Sequence, residues 1–276
     1  MQTGYLELTD DNLYYEDSAT PHNQGTLVLS HAGFLDCRMW DDQWEAFRND
    51  YRVIRYDMAG FGQSAPVTGP RARRDDLYRL LQYLQVDSAH LLGCSIGGEI
   101  VLDLALEHPE IAVSLILVNS VPSGFEMQGE PPQYLFEMMA AMQAGDVDTA
   151  SELQLRLYVD GPQRQPDAVN PEARQRATAM NRAVVASQTW MIADVTPLRP
   201  LDPPAVERLG TVDIPTLIIT GALDHVETLR AGDLMASAIP GARQMCMDNT
   251  AHVPNLEDAA TFNQSVLDFL STLPVA

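Results

Sequence analysis

Lysine is absent from this chain of 276 residues, and basic side chains of any kind are scarce. All 17 basic residues are arginine, whereas 38 residues are acidic, so the formal net charge is −21 at pH 7. Nucleic acids and anionic membranes are bound through clustered positive charge. The composition therefore predicts that neither is a partner of this protein.

Long hydrophobic runs are also missing. No apolar stretch approaches the ~20 residues of a membrane span, and residues 1–5 do not have the basic and apolar segments of a secretory leader. The three cysteines, Cys37, Cys94 and Cys246, are odd in number and lack metal-ligand spacing. We expect all three to be buried thiols, and the protein to be cytoplasmic and to hold no metal.

Short apolar or β-branched runs alternate with amphipathic stretches along most of the chain. Strands are predicted at residues 26–30, 52–56, 89–92, 114–118, 215–220 and 244–247, and helices at 40–47, 75–84, 98–107 and 256–270. This alternation is typical of βαβ units, which form a mostly parallel sheet with helices on both faces. Residues 5–8 and 12–16 are predicted to form an antiparallel hairpin at the edge of that sheet.

Residues 121–210 interrupt the alternation. This segment has no convincing strand, and prolines separate its helix-like pieces. We expect it to be a helical cap over a core domain formed by residues 1–120 and 211–276. Its apolar residues are expected mostly to form the cap's own core, with some facing a covered site: Met138, Met139, Met142, Leu153, Leu157, Met180, Trp190 and Met191.

Ser95 stands in the run Gly93-Cys94-Ser95-Ile96-Gly97, between a predicted strand and a predicted helix. A Gly-x-Ser-x-Gly sequence at such a junction is the pattern of a nucleophile elbow. Gly93 and Gly97 lack Cβ atoms, so the strand and the helix can approach closely around a strained turn. Because the turn lifts the serine oxygen clear of the sheet, the pattern predicts a nucleophile at Ser95.

A serine nucleophile needs a base and a group that orients the base. His252 lies on a loop after the last predicted strand, and Asp224 follows the strand that ends at Thr220. The chain order Ser95, Asp224, His252 is the order expected on this kind of sheet. Asp248, four residues before His252, is the alternative orienter.

The remaining histidines lack this arrangement. His31 follows a strand, and we expect it to have a structural role in its loop. A role for His225 would need an acid other than its neighbour Asp224. Solvated positions in loops or at helix ends are expected for His22, His90, His108 and His225.

Acyl transfer also needs N–H donors aimed at the developing oxyanion. The main-chain N–H of Ile96, directly after the nucleophile, is one candidate. The other is expected from the loop after the strand that ends at Ser30. We place it at Gly33, with Phe34 as the alternative.

Five motifs together resemble the α/β-hydrolase superfamily, and the likeness spans nearly the whole chain. They are the serine elbow, residues 31–34 with Trp40 downstream, and residues 57–64, 221–224 and 251–257. The chain has His31-Ala32 where the family often has His-Gly, and Ala59-Gly60 where its turn usually has Arg-Gly. The resemblance implies an α/β-hydrolase fold with an eight-stranded, mostly parallel sheet, a small-molecule substrate and no cofactor.

Two positions narrow the activity that this resemblance implies. Haloalkane dehalogenases and epoxide hydrolases of the family carry Asp at the elbow, so Ser95 favours acyl chemistry. Carbon–carbon bond hydrolases commonly carry Trp after the catalytic His, where this chain has Val253. The pattern is similar to enol-lactonases and small carboxylesterases, so we expect a serine hydrolase of small carboxylic esters or lactones. The alternatives are a carbon–carbon bond hydrolase of a diketone-type substrate and a ligand-sensing protein with very slow turnover.

Overall fold

The computed structural model describes residues 1–8, 12–19 and 24–273. Within these ranges eight strands form one sheet in the order β1-β2-β4-β3-β5-β6-β7-β8. The strands are β1 (Gln2–Glu7), β2 (Asn12–Asp17), β3 (Thr26–Ser30), β4 (Arg52–Tyr56), β5 (Ala89–Cys94), β6 (Ala112–Val118), β7 (Thr216–Gly221) and β8 (Arg243–Met247). β2 pairs antiparallel with β1 and β4, and all other pairs are parallel. The predicted sheet and its antiparallel edge hairpin are confirmed.

The helices lie on both faces of the sheet. They are α1 (Asp41–Phe47), α2 (Arg73–Tyr83), α3 (Ile96–Glu107), α4 (Leu135–Ala144), α5 (Val147–Leu155), α6 (Pro171–Ser187), α7 (Ala205–Arg208), α8 (Val226–Ala238), α9 (Pro254–Glu257) and α10 (Ala259–Ser271). None of these helices is both long enough and apolar enough to cross a membrane, and this holds for all residues described.

Neighbouring side chains of one strand enter different hydrophobic layers. On β3, Val28 packs in the layer formed with α2, α3 and α8. Leu27 and Leu29 pack in the opposite layer, which includes α1 and α10. Because both faces of the central strands are covered, these strands consist of continuous apolar runs instead of alternating apolar and polar residues.

Residues 121–210 contain α4 to α7 and no strand, and the structure describes every residue of this segment. Met138, Met142 and Leu157 pack with one another in a cluster built from these helices. Met180 on α6 instead joins the layer that contains Trp40. The division into a core and a cap domain stays a prediction.

The predicted closing helix at residues 256–270 is wrong in one respect, because two helices, α9 and α10, take its place. Asp258 separates them with a non-helical backbone at φ −141° and ψ 74°. Its side chain accepts a hydrogen bond from the N–H of Thr261, so it caps the start of α10.

Two predictions about solvent exposure, for Cys246 and His90, are also wrong. Cys246 is exposed, whereas Cys37 and Cys94 are buried. Cys246 lies on the edge strand β8, most of whose side chains are uncovered. His90 is not solvated: it is buried in β5, its Nδ1 lies 2.8 Å from the Ser114 hydroxyl, and burial lowers its pKa. His22 lies outside the described residues.

Candidate active site

Ser95 lies between β5 and α3 and has φ 57° and ψ −124°. A positive φ is costly for a residue with a Cβ atom, so the surrounding structure must impose it. A Cβ atom on Gly97 would lie 2.5 Å from the main-chain oxygen of His31, and one on Gly93 would lie 2.6 Å from the nitrogen of Gly98. Both glycines are therefore required by the close approach of main chain to main chain around Ser95.

His252 and Asp224 form a close, buried pair. The distance between His252 Nδ1 and Asp224 Oδ2 is 2.6 Å, and the two side chains are 6% and 2% exposed. The other carboxylate oxygen of Asp224 accepts a hydrogen bond from the N–H of His225 at 2.7 Å. With both oxygens engaged, the carboxylate is fixed in orientation and holds one nitrogen of the imidazole.

The second nitrogen of this imidazole is available. In the described part of the chain, Nε2 of His252 is buried and has no hydrogen-bond partner. When Nδ1 donates to the Asp224 carboxylate, a neutral imidazole has its lone pair on Nε2. Ser95, Asp224 and His252 all line one cavity of about 730 Å³. The structure thus brings the three predicted residues to one cavity, with a basic nitrogen free to act there.

Asn119 joins the two loops that carry this pair, and sequence reasoning missed it. It follows β6, and its side-chain nitrogen donates to the main-chain oxygen of Ala251 at 2.8 Å. Its side-chain oxygen accepts from the N–H of Gly221 at 3.0 Å. One side chain therefore fixes the loop before Asp224 to the loop before His252. Its position directly after a buried strand, at the edge where Ser95 lies, is the signal that could have identified it.

The loop of His252 is also held from the segment between β6 and β7. Glu257 accepts a hydrogen bond from the N–H of Ala251 at 2.7 Å and pairs with Arg164 at 2.7 Å. Burial raises the pKa of Glu257, and the neighbouring Arg164 guanidinium acts against that rise. Ala251 and Glu257 both lie in the motif at residues 251–257, whereas Arg164 is distant in sequence, so no local sequence signal identifies its contact with Glu257.

The other acid and the other histidines near this site are exposed or make hydrogen bonds elsewhere. Asp248 is exposed, and Asp224 holds the position at Nδ1 of the imidazole. His31 is fully buried: its Nδ1 donates to the oxygen of Ala32 and its Nε2 accepts from the N–H of Met58, each at 2.9 Å. Burial lowers the pKa of His31, which fits this neutral form. His225 lines the cavity and caps the start of α8.

The candidate oxyanion donors are neighbours. Ile96 begins α3, so its N–H has no acceptor within the helix. A Cβ atom on Gly33 would lie 3.0 Å from Cγ2 of Ile96, which places the Gly33 loop against the elbow. The turn of that loop is closed by Leu35 donating to Ala32, and this bond uses neither the N–H of Gly33 nor that of Phe34. Ile96 is one of the residues that line the cavity, whereas Gly33 and Phe34 are not among the described residues that line it.

The cavity lining combines apolar and charged side chains. Residues 121–210 contribute Leu157, Tyr158 and Trp190, and also the charged Asp194. Glu99 and Asp103 of α3 add two carboxyl groups to the lining. In the ranges that the structure describes, no three His, Cys, Asp or Glu side chains come together as a metal site would require.

Comparison with known proteins fixes the family. A family model described as alpha/beta hydrolase fold matches residues 25–259. The chain belongs to the α/β-hydrolase family. Among curated members similar to this α/β-hydrolase, 3-oxoadipate enol-lactonase 1 of Acinetobacter baylyi is 27% identical over 257 residues, which cover 92% of this chain and 91% of that protein.

Solved structures of α/β-hydrolases resemble the chain along nearly its whole length. A hydrolase from Pseudomonas aeruginosa is 30% identical with a TM-score of 0.76, covering 97% of this chain and 98% of that one. The enol-lactonase from Burkholderia xenovorans is 25% identical with a TM-score of 0.78, covering 97% and 100%. The predicted fold class, the predicted resemblance to enol-lactonases and the prediction of a hydrolase are confirmed at the level of the family.

Proposed function

We propose that this α/β-hydrolase cleaves small carboxylic esters or lactones through an acyl-enzyme on Ser95. The observation that carries the proposal is the imidazole of His252, which is held by Asp224 at 2.6 Å and has Nε2 unpartnered among the described residues. Ser95 lines the same cavity in a positive-φ turn. A serine, a base and an oriented carboxylate are the groups that nucleophilic acyl transfer requires.

In the acylation step the Ser95 oxygen forms a bond to the carbonyl carbon while its proton moves to Nε2 of His252. The Asp224 carboxylate keeps the imidazole in the required tautomer and stabilises the imidazolium that forms. As the tetrahedral intermediate collapses, the bond to the alcohol oxygen breaks and that oxygen takes the proton from Nε2. In a lactone the leaving oxygen stays attached to the acyl chain.

In the deacylation step water attacks the acyl carbon and gives a proton to Nε2 of His252. The bond to Ser95 then breaks, the carboxylic acid leaves, and the proton returns to the serine oxygen. The oxyanion of each tetrahedral intermediate is stabilised by the N–H groups of Ile96 and Gly33, with Phe34 as the alternative second donor. The contact between Gly33 and the Ile96 side chain supports this pairing of donors.

In this proposal residues 121–210 form a cap over a core of residues 1–120 and 211–276, and the cap limits which substrates reach Ser95. Leu157, Tyr158 and Trp190 of the proposed cap line the same cavity as Ser95. The lactone class is favoured by the similarity to the two enol-lactonases, one of which covers 92% of this chain and the other 97%. The cavity of about 730 Å³ accommodates esters and lactones of small size with room to spare.

The test is a rate profile of Ser95→Ala and the unmodified protein over p-nitrophenyl esters and lactones of graded size. We expect Ser95→Ala to lower kcat by about 10⁴-fold or more. A p-nitrophenyl phosphonate should transfer its phosphonyl group to Ser95 of the unmodified protein with release of p-nitrophenol, and the mass of that phosphonyl group should be found on Ser95. Ser237→Ala, an exposed serine on α8, is the matched control and should keep full activity. Undiminished hydrolysis by Ser95→Ala would overturn the proposal, and tight binding without measurable turnover would favour the ligand-sensing alternative.

A further inference from the structure

Glu99 is a carboxyl group in the same cavity as Ser95 that the proposed mechanism does not use. It lies on the first turn of α3, and its main-chain N–H donates a hydrogen bond to the main-chain oxygen of Ser95 at 3.2 Å. Its side chain lines the cavity. Glu99 therefore faces the volume in which a bound ester must lie.

The side chain of Glu99 has no hydrogen bond or ion pair with any described residue. The charged side chains that line the cavity near it do have such partners. Arg73 pairs with Asp194 at 2.5 Å, and the Asp103 carboxylate accepts a hydrogen bond from the Ser123 hydroxyl at 2.8 Å. Three further arginines that line the cavity are paired with acidic groups: Arg71 with Asp76, Arg74 with Glu107, and Arg199 with Asp75 and Glu107.

The surroundings of Glu99 are negative. Burial, Asp103 on the same helix and Asp194 of the segment at Trp190–Asp194 raise the pKa of Glu99 to about 8. Three arginines lie near these carboxylates: Arg73 pairs with Asp194, Arg74 pairs with Glu107, and Arg208, which acts on Asp103, donates to the main-chain oxygen of Leu106. Burial is the largest of the causes that raise the pKa of Glu99, and the two carboxylates add to it. Their contribution indicates a negative potential at Glu99, which attracts a positive group.

We propose that Glu99 binds a positively charged ammonium group of the substrate, so that the preferred esters or lactones carry a cationic amine a few bonds from the scissile carbonyl. The proposal rests on the proposed function of Ser95 and names the substrate class of that site. An ammonium group would supply the ion-pair partner that Glu99 lacks among the described residues. It would also offset the cost of burying the Glu99 charge.

The experiment uses pairs of esters that differ only in a nitrogen or carbon atom. Acetylcholine and 3,3-dimethylbutyl acetate place the charged or neutral group on the alcohol side. The p-nitrophenyl esters of 4-(trimethylammonio)butanoic acid and 5,5-dimethylhexanoic acid place it on the acyl side. For at least one pair we expect kcat/KM of the cationic ester to exceed that of the neutral ester by about tenfold or more, after division by the rates of hydroxide hydrolysis.

The variant Glu99→Gln tests whether this carboxyl group is responsible. Because Gln is neutral and similar in shape, the ratio of the two kcat/KM values should fall by about tenfold in this variant, and taking a ratio cancels any general loss of activity. Glu110→Gln removes the same charge from an exposed residue just beyond α3 and is the matched control. Its ratio should equal that of the unmodified protein.

The pH dependence of the same ratio is an independent readout. The trimethylammonium group does not titrate. Other charged groups line the same cavity, among them Asp103 and Asp194, so the ratio in Glu99→Gln serves as the reference for their contribution. Since Glu99 must lose its proton to pair with the cation, the ratio should rise between about pH 6.5 and 8.5 in the unmodified protein and rise clearly less in Glu99→Gln. A ratio near one at all pH values, or a ratio unchanged by Glu99→Gln, overturns the ammonium site. If Ser95→Ala hydrolyses the neutral esters at an undiminished rate, the proposed function fails instead.

Discussion

The main-chain N–H of His252 donates a hydrogen bond to the main-chain oxygen of Tyr158 at 3.2 Å. The Tyr158 ring also lies 5.1 Å from the imidazole and stacks on Phe34 at 4.8 Å, measured between ring centroids. Tyr158 belongs to the segment between β6 and β7, whereas Phe34 follows β3. One residue of the proposed cap thus contacts both the candidate base and the loop of the candidate oxyanion donors, so the position of this segment and the geometry of the site are linked.

Removal of the Tyr158 ring is expected to lower activity more than removal of its hydroxyl. Tyr158→Ala leaves a gap between Phe34 and His252, and small displacements of catalytic groups cost up to about 100-fold in rate. We expect kcat to fall by about tenfold or more in Tyr158→Ala and to stay within about twofold in Tyr158→Phe, as measured by ester hydrolysis. Equal losses in the two variants would show that the hydroxyl, not the ring, matters.

Local patterns were sufficient to predict most of the sheet and part of the site. β3 and β4 span the residues predicted for them, 26–30 and 52–56. The Gly-x-Ser-x-Gly pattern located the elbow, where Gly93 is required by the main chain of Gly97 and Gly98, and Gly97 by the main chain of Ser30 and His31. Asp258 was missed as a helix boundary although Asp is a common N-cap residue.

The remaining features depend on contacts between distant segments. Tyr158 reaches His252 only because the chain between β6 and β7 folds back over the sheet, and nothing near Tyr158 in the sequence indicates this. The position of Glu99 in the predicted helix that follows Ser95 places it near the elbow. The absence of a described partner for Glu99, however, depends on where Arg73 and Arg74 find theirs. Pairing of this kind is set by tertiary packing and leaves no local pattern.

Asp224 and Asp248 were the two candidate orienters, and a pair of matched variants separates them. Asp224→Asn keeps the shape of the side chain but removes the charge that holds Nδ1 of His252 at 2.6 Å. We expect kcat to fall by about 10⁴-fold, as when an oriented imidazole takes the wrong tautomer. Asp248→Asn, at an exposed position, should keep full activity in the same assay. Comparable activity of the two variants would contradict the role of Asp224.

Gly97 is expected to be intolerant of a methyl group. Alanine favours a helix over glycine, but its Cβ atom at position 97 would lie 2.5 Å from the oxygen of His31 and closer still to that of Ser30. Main-chain atoms cannot easily move, so we expect Gly97→Ala to lower the free energy of unfolding by about 1–3 kcal/mol. Gly69→Ala is the control, because no atom lies within 4 Å of its added Cβ. Urea denaturation of both variants measures the difference, and equal stabilities would contradict the close approach.

Asp103 is expected to make the protein less stable as the pH rises from about 4 to 6. Burial raises its pKa from the ordinary 3.8 to about 6, although the Ser123 hydroxyl and Arg74 act against the rise. The folded state therefore binds this proton more tightly than the unfolded state, and the free energy of unfolding falls with pH between the two pKa values. A rise of this size corresponds to about 3 kcal/mol once the pH is above 6.

Asp103→Asn removes this cost because a neutral amide replaces the carboxyl group and its oxygen can still accept from Ser123. At about pH 8 the variant should be more stable than the unmodified protein, by up to about 3 kcal/mol. At about pH 4, where Asp103 of the folded protein is protonated, the difference should shrink below about 1 kcal/mol. Urea denaturation in dilute solution at both pH values measures this, with the exposed Asp87→Asn as a control that should show no such change. If Asp103→Asn is equally stable relative to the unmodified protein at both pH values, the carboxyl group titrates alike in the folded and unfolded states, and burial has not raised its pKa.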